Sequence, residues 1–189
     1  MNADPRLLEL MSYYRDAELH GAMLLLRLMK MMSDDPEAQV NLTRHVADET
    51  RHAWLWTKRM LDLGGRPVKV AGGYQSRVGK RIMPHSVADL LAITVVVESR
   101  SLARYREHAS RPGLDDTTLK VLEAVTFDEQ WHLDWMSTKL DAMTSTADAR
   151  DRVHALMERY RRIDEEVYQG LLCHEREVFA EDAPPSRVT

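Results

Sequence analysis

Two five-residue strings hold the densest chemistry in this chain: Asp48-Glu49-Thr50-Arg51-His52 and Asp128-Glu129-Gln130-Trp131-His132. Both read D-E-x-x-H. On a helix, a Glu and a His three residues apart share one face and can reach the same point beside the axis. Each string has an acidic partner 31 residues before its Glu, Glu18 for Glu49 and Glu98 for Glu129. A shift of 80 residues carries Glu18, Asp48, Glu49 and His52 onto Glu98, Asp128, Glu129 and His132. Four carboxylates and two imidazoles in matched halves are the ligand set of a dinuclear metal site inside a four-helix bundle.

Hard carboxylate oxygens with imidazole nitrogens suit iron, and manganese is compatible. Two divalent ions would balance the four carboxylates. Without cations, those carboxylates would repel one another in a weakly screening interior, and some would hold protons. By position, Glu18 and His52 would bind one ion, Glu98 and His132 the other, with Glu49 and Glu129 bridging. Asp48 and Asp128 lie four residues before His52 and His132. They could accept the free ring N–H and fix the tautomer, within one helix or across the pair. A single E-x-x-H is more often a surface pair; the doubled set with equal offsets gives the assignment its weight. His45, one turn before Glu49, reads first as a satisfied core histidine. Tyr14, Trp56 and Tyr105 lie one or two turns from the ligands, and Thr94 one turn before Glu98. Core packing is their default role; pocket lining or redox chemistry is the alternative.

The spacing predicts five helices to hold these groups. The first runs from Arg6 to about Met32, with Glu18 on an apolar stripe where an unpaired carboxylate is out of place. The second starts at Pro36 behind an Asp35 cap and ends at Gly64-Gly65. An irregular crossover follows to about 85, containing Arg66, Lys69, Arg77, Lys80 and Arg81 and no acid. Ser86-Val87-Ala88-Asp89 resembles a capping box and opens the third helix, which carries Glu98. Asp115 or Asp116 caps the fourth, which extends to about Met143. The expected domain spans 1–145. A fifth amphipathic helix over 146–179 would pack on the bundle or on a partner subunit, with a disordered tail at 180–189.

Of 189 residues, 44% are hydrophobic and 30% charged, ordinary for a globular protein. A net charge of −4 gives no support for a general nucleic-acid binder. The single Cys173 excludes an internal disulfide and a cysteine-ligated iron–sulfur cluster. With no signal-peptide pattern and no 18-residue apolar run, the expectation is a cytoplasmic protein with no membrane association.

The pattern Glu, E-x-x-H, Glu, E-x-x-H over residues 6 to 143 resembles the ferritin-like di-iron carboxylate superfamily. Asp48-Glu49-Thr50-Arg51-His52 looks like the D-E-x-R-H form of bacterial multicomponent monooxygenases. Ala17-Glu18-Leu19, Glu98-Ser99-Arg100-Ser101 and Arg104-Tyr105 are similar to motifs of the tRNA isopentenyladenosine hydroxylases. The resemblance implies an all-α, antiparallel four-helix bundle with a long crossover between its second and third helices, plus the extra C-terminal helix. It implies two iron ions and an O2-activating monooxygenase or oxidase, of hydroxylase type, acting on an organic substrate. A modified nucleoside or tRNA is one candidate substrate, against which the net charge argues mildly. Electrons would come from a separate reductase or ferredoxin, and a homodimer is compatible. Two alternatives stay open: a ferroxidase or rubrerythrin-like peroxide-detoxifying protein, and a non-enzymatic helical interaction module. Classical ferritins lack the second histidine that His132 supplies, and rubrerythrins usually carry an extra glutamate and a rubredoxin domain.

Overall fold

Each bundle helix begins where side chains can satisfy its free N–H groups. Asp4 accepts from the Arg6 N–H to open α1 (Pro5–Met31), and Asp35 accepts from Ala38 to open α2 (Pro36–Asp62). Ser86 and Asp89 form the reciprocal capping box of α4 (Val87–Ala109). Asp115 receives the Thr117 and Thr118 N–H groups at the start of α5 (Asp116–Asp141). Gly64, at φ 78°, adopts the left-handed conformation that ends α2. The computed structural model describes residues 4–111 and 113–179, with side chains as far as 171. The tail from Ala180, expected to be disordered, lies outside the described residues.

Short turns fold α1 onto α2 and α4 onto α5, and these two hairpins close into a four-helix bundle. The crossover departs from expectation. It contains a helix, α3 (Tyr74–Arg81), inside the segment read as irregular. Eight residues make a marginal helix alone; this one is held by tertiary contacts. Tyr74 and Val78, one turn apart, are buried, and the Tyr74 hydroxyl donates to Asp164 at 2.6 Å. Such a short window, interrupted by Gly79, gives too few turns for periodicity to register.

Asp164 belongs to α6 (Ala147–Phe179), which packs on α4 and α3. Tyr160, Val167 and Leu171 of its apolar seam are buried there, with Val153, Leu156 and Ile163 partly so. The seam is thus occupied within the chain itself. No helix among the described residues is long and apolar enough to cross a membrane.

The buried apolar residues divide into two clusters at opposite ends of the bundle. One is mainly aliphatic, built on Leu25, Leu28, Leu42, Leu90, Ile93, Val97, Met136 and Leu140 and extended by α3 and α6. The other is smaller and aromatic, around Tyr14, Trp56 and Tyr105. Between them lies a buried layer of acids and imidazoles.

Candidate metal centre

That layer brings together all six side chains singled out as ligands. Glu18, Glu49, His52, Glu98, Glu129 and His132 come from four helices, and each is at least 96% buried. Burying four carboxylates in one place is unfavourable unless something compensates their charge. Two constellations of donor atoms emerge, each with all members within 4.8 Å of one another. The first is Glu18, Glu49, His52 and Glu129. The second is His45, Glu49, Glu98 and His132. Donors about 2.1 Å from one cation at right angles stand ~3 Å apart, so such clusters are of the size that one ion each would need.

The two predicted ligand histidines are oriented alike. Nδ1 of His52 lies 3.3 Å from Glu18 Oε2 and 3.4 Å from Glu129 Oε1. Nδ1 of His132 lies 3.4 Å from Glu129 Oε2 and 3.7 Å from Glu49 Oε1. Their Nε2 atoms face away, toward the aspartates, and the pairing is crossed between helices. His52 Nε2 stands 3.2 Å from Asp128, and His132 Nε2 stands 3.3 Å from Asp48. An ionised carboxylate can only accept, so Nε2 carries a proton and Nδ1 is the nitrogen that would bind a cation. Arg51 ties the two aspartates together, at 3.0 Å from Asp48 and 2.5 Å from Asp128. Burial disfavours the Asp128 charge, but Arg51 and His52 hold its pKa below the ordinary value. The role of Arg51 is invisible in spacing, because its partner Asp128 is 77 residues away.

The side chains of the cluster perturb one another strongly. Burial, then the charges of Glu98, Glu18 and Glu129, push the Glu49 carboxyl well above the carboxylate range. Burial and Glu129 raise Glu98 to about 7. Burial opposes a charge on His52, but Glu129 and Glu18 raise it to about 11. His132 falls to about 4 under burial and the proximity of His45. So close a group of buried carboxylates calls for positive charge among them. Glu49 Oε1 is buried without a hydrogen-bond partner. An orphaned oxygen among convergent carboxylates and imidazoles, with no sulfur donor, fits a pair of iron or manganese ions.

His45 corrects the sequence reading. It is fully buried, but neither ring nitrogen has a hydrogen-bond partner, so it is not a satisfied core histidine. Its Nε2 is 3.3 Å from Glu49 Oε1 and 3.5 Å from Glu98 Oε1, and its ring stacks on His132 at 3.5 Å. The aromatic candidates gather on the other side. The Tyr105 hydroxyl donates to Glu18, and burial together with that carboxylate's charge raises its pKa well above the phenol range. Tyr14 packs 4.8 Å from Tyr105 and 4.9 Å from Trp56, with the Tyr14 hydroxyl and Trp56 N–H buried and unpartnered.

Thr94 donates to the Leu90 carbonyl and lines a cavity of about 120 Å³ between α1, α3 and α4. Leu24, Leu25, Val78, Ile82, Ile93 and Val97 supply its apolar wall, and Glu98 closes its inner end. Gly21 lines it too; a Cβ there would stand 2.4 Å from Glu49 Oε2. Sequence reasoning missed this cavity, although Gly21, one turn after Glu18, sits where any side chain would collide with the cluster.

No family model matches the chain. It is similar to the bacterioferritin of Streptomyces coelicolor, at 29% identity over 147 residues, covering 75% of this chain and 83% of the relative. It is also similar to the bacterioferritin of Mycolicibacterium paratuberculosis, at 28% over 149 residues, covering 76% and 89%. Among solved structures it resembles a Synechococcus protein with aldehyde deformylating oxidase activity. That match has a TM-score of 0.75 and covers 92% of this chain and 79% of the other, at 21% identity, and so speaks to the fold.

Proposed function

We propose that this chain, similar to bacterioferritins and ferritin-like in fold, is a di-iron, O2-using oxidase or oxygenase acting on a small, mainly apolar organic molecule. One observation carries the choice: the apolar cavity and the carboxylate cluster share Glu98 as a common wall. Iron oxidation alone needs no such space beside the metals. A cavity of 150 Å³ accommodates benzene; at about 120 Å³ this one suits a molecule of similar or slightly smaller size, or a chain of a few carbons.

Glu18, His52 and Glu129 would hold one iron ion and Glu98 and His132 the other, with Glu49 within reach of both. Bound iron would supply the redox and O2 chemistry that no side chain can provide. The protein's own part is positioning and exclusion. The crossed Asp–His pairs fix the imidazoles, and Arg51 locks the two aspartates to each other. The aliphatic core around the cavity keeps bulk water from Glu98. Gly21, with no Cβ, leaves room for the Glu49 carboxylate beside it. Electrons would arrive from a separate donor protein. A nucleoside or tRNA substrate draws less support: Arg81 pairs with Glu166 at 2.6 Å and Arg77 bonds the Gly72 carbonyl, so the basic crossover is partly engaged within the chain.

The likeness to bacterioferritins favours a second reading, a ferroxidase without an organic substrate. Oxygen uptake by the reduced, iron-loaded protein separates the two, with hexanal as the first probe because the solved structural neighbour acts on aldehydes. Hexanal-dependent uptake with an oxidised or shortened product supports the oxidase. Uptake that follows added ferrous iron alone, continues beyond two irons per chain and ignores hexanal establishes the ferroxidase instead.

A further inference from the structure

We infer that His45 is a seventh protein ligand, joining Glu98 and His132 at one metal position and making the two positions chemically unequal. The inference rests on the dinuclear reading above and adds to it a residue outside the six-ligand set.

His45 is completely buried and both its ring nitrogens are unpartnered. A buried polar group left so unpaired is unfavourable. Its Nε2 points into the space also reached by Glu49 Oε1 and Glu98 Oε1, at 3.3 and 3.5 Å, and by His132. Those separations are too poorly aligned to be hydrogen bonds but match donors sharing one cation. Glu49 Oε1 is unpartnered as well, so a single ion would satisfy two orphaned atoms at once. Nδ1 would then carry the ring proton. Packing alone does not call for an imidazole here. The position 80 residues on, one turn before Glu129, is Val125, an aliphatic residue that is just as completely buried.

With His45, one position is offered two imidazoles and two carboxylates, and the other one imidazole and three carboxylates. More nitrogen favours iron, cobalt or zinc, whereas more carboxylate favours manganese. The two positions should therefore fill in sequence rather than together, and a mixed iron–manganese pair should place manganese beside Glu18.

Cobalt(II) titration of the metal-free full-length protein, followed by proton NMR, tests this without any turnover. Three strongly shifted, exchangeable imidazole N–H resonances are expected in the wild type, one each from His45, His52 and His132. His45→Ala should lose one resonance and weaken one of the two cobalt ions by at least about tenfold, leaving the other within about twofold. His45→Gln provides the same comparison if the alanine variant folds poorly, and the wild-type count needs no variant at all. Two resonances in a wild type that holds two cobalt ions would overturn the seventh ligand while leaving the dinuclear centre intact. Fewer than one cobalt per chain would overturn the centre, and this inference with it.

Discussion

The two ends of the bundle are related by the same 80-residue shift as the acids and imidazoles between them, but they are built from different material. The shift takes Tyr14 to Thr94, Trp56 to Met136 and Leu25 to Tyr105. In space, Tyr14, Trp56 and Tyr105 close one end with packed rings, Tyr14 edge-on to Tyr105, and the Tyr105 hydroxyl holds Glu18. Leu25, Thr94 and Met136 belong to the other end, where α3 and α6 cover an aliphatic core that retains a cavity against Glu98. Gathering four buried carboxylates around shared donor positions asks for similar acids from both halves. Admitting a substrate from one side asks for unequal ones. The internal repeat therefore reaches the four glutamates, the two aspartates, His52 and His132, and already fails at His45, whose counterpart is Val125.

The sharpest way to break the aromatic end is Trp56→Ala. It should cost about 3–5 kcal/mol in urea unfolding, because a fully buried indole leaves a large void. The matching Met136→Ala should cost less, since the aliphatic end has flexible side chains to collapse inward. Equal costs would mean the two ends are packed alike. The aromatic end should also respond to acid. Burial and the nearby Arg111 hold His108 at about 4 in the folded protein, against 6.5 for an ordinary imidazole. The unfolded chain therefore takes up its proton first. Stability should fall as pH drops from 6.5 to about 4, by on the order of 3 kcal/mol from this residue. Urea midpoints of His108→Leu should show a shallower fall across the same window, and an unchanged slope would refute the assignment.

Asp128→Asn and Asp48→Asn sharpen the comparison at the centre itself. Each should weaken metal binding by ~10–100-fold, and the crossed pairing predicts that Asp128→Asn acts on the ion held by His52. Cobalt titration read by the His52 and His132 resonances would reveal the opposite assignment. The smallest effect on stability belongs to the cavity mouth. Gly79 is exposed, and a Cβ there meets nothing within 4 Å. Gly79→Phe should leave the unfolding midpoint within about 0.5 kcal/mol and the metal content unchanged, but abolish hexanal-dependent oxygen uptake. Undiminished uptake would place the substrate route elsewhere.

The bundle was legible because its signals are local. Asp35-Pro36, Ser86 with Asp89, and Asp115 cap helices by chemistry that acts within three residues, and long amphipathic stripes persist over several turns. The convergence of Glu18, Glu49, His52, Glu98, Glu129 and His132 was also written in the chain, since helical spacing fixes which side chains share a face. Contacts between residues far apart in sequence were not. Helix α3 forms because Tyr74 finds Asp164, 90 residues away. His45 has the same spacing whether it is packed, hydrogen-bonded or aimed at Glu98, and only its surroundings distinguish the three. The direction of the Asp–His pairs, the Arg51 bridge and the cavity beside Gly21 likewise depend on how the helices rotate against one another. Period and charge determined which residues face inward; the packing of one helix on the next decided what each of them meets there.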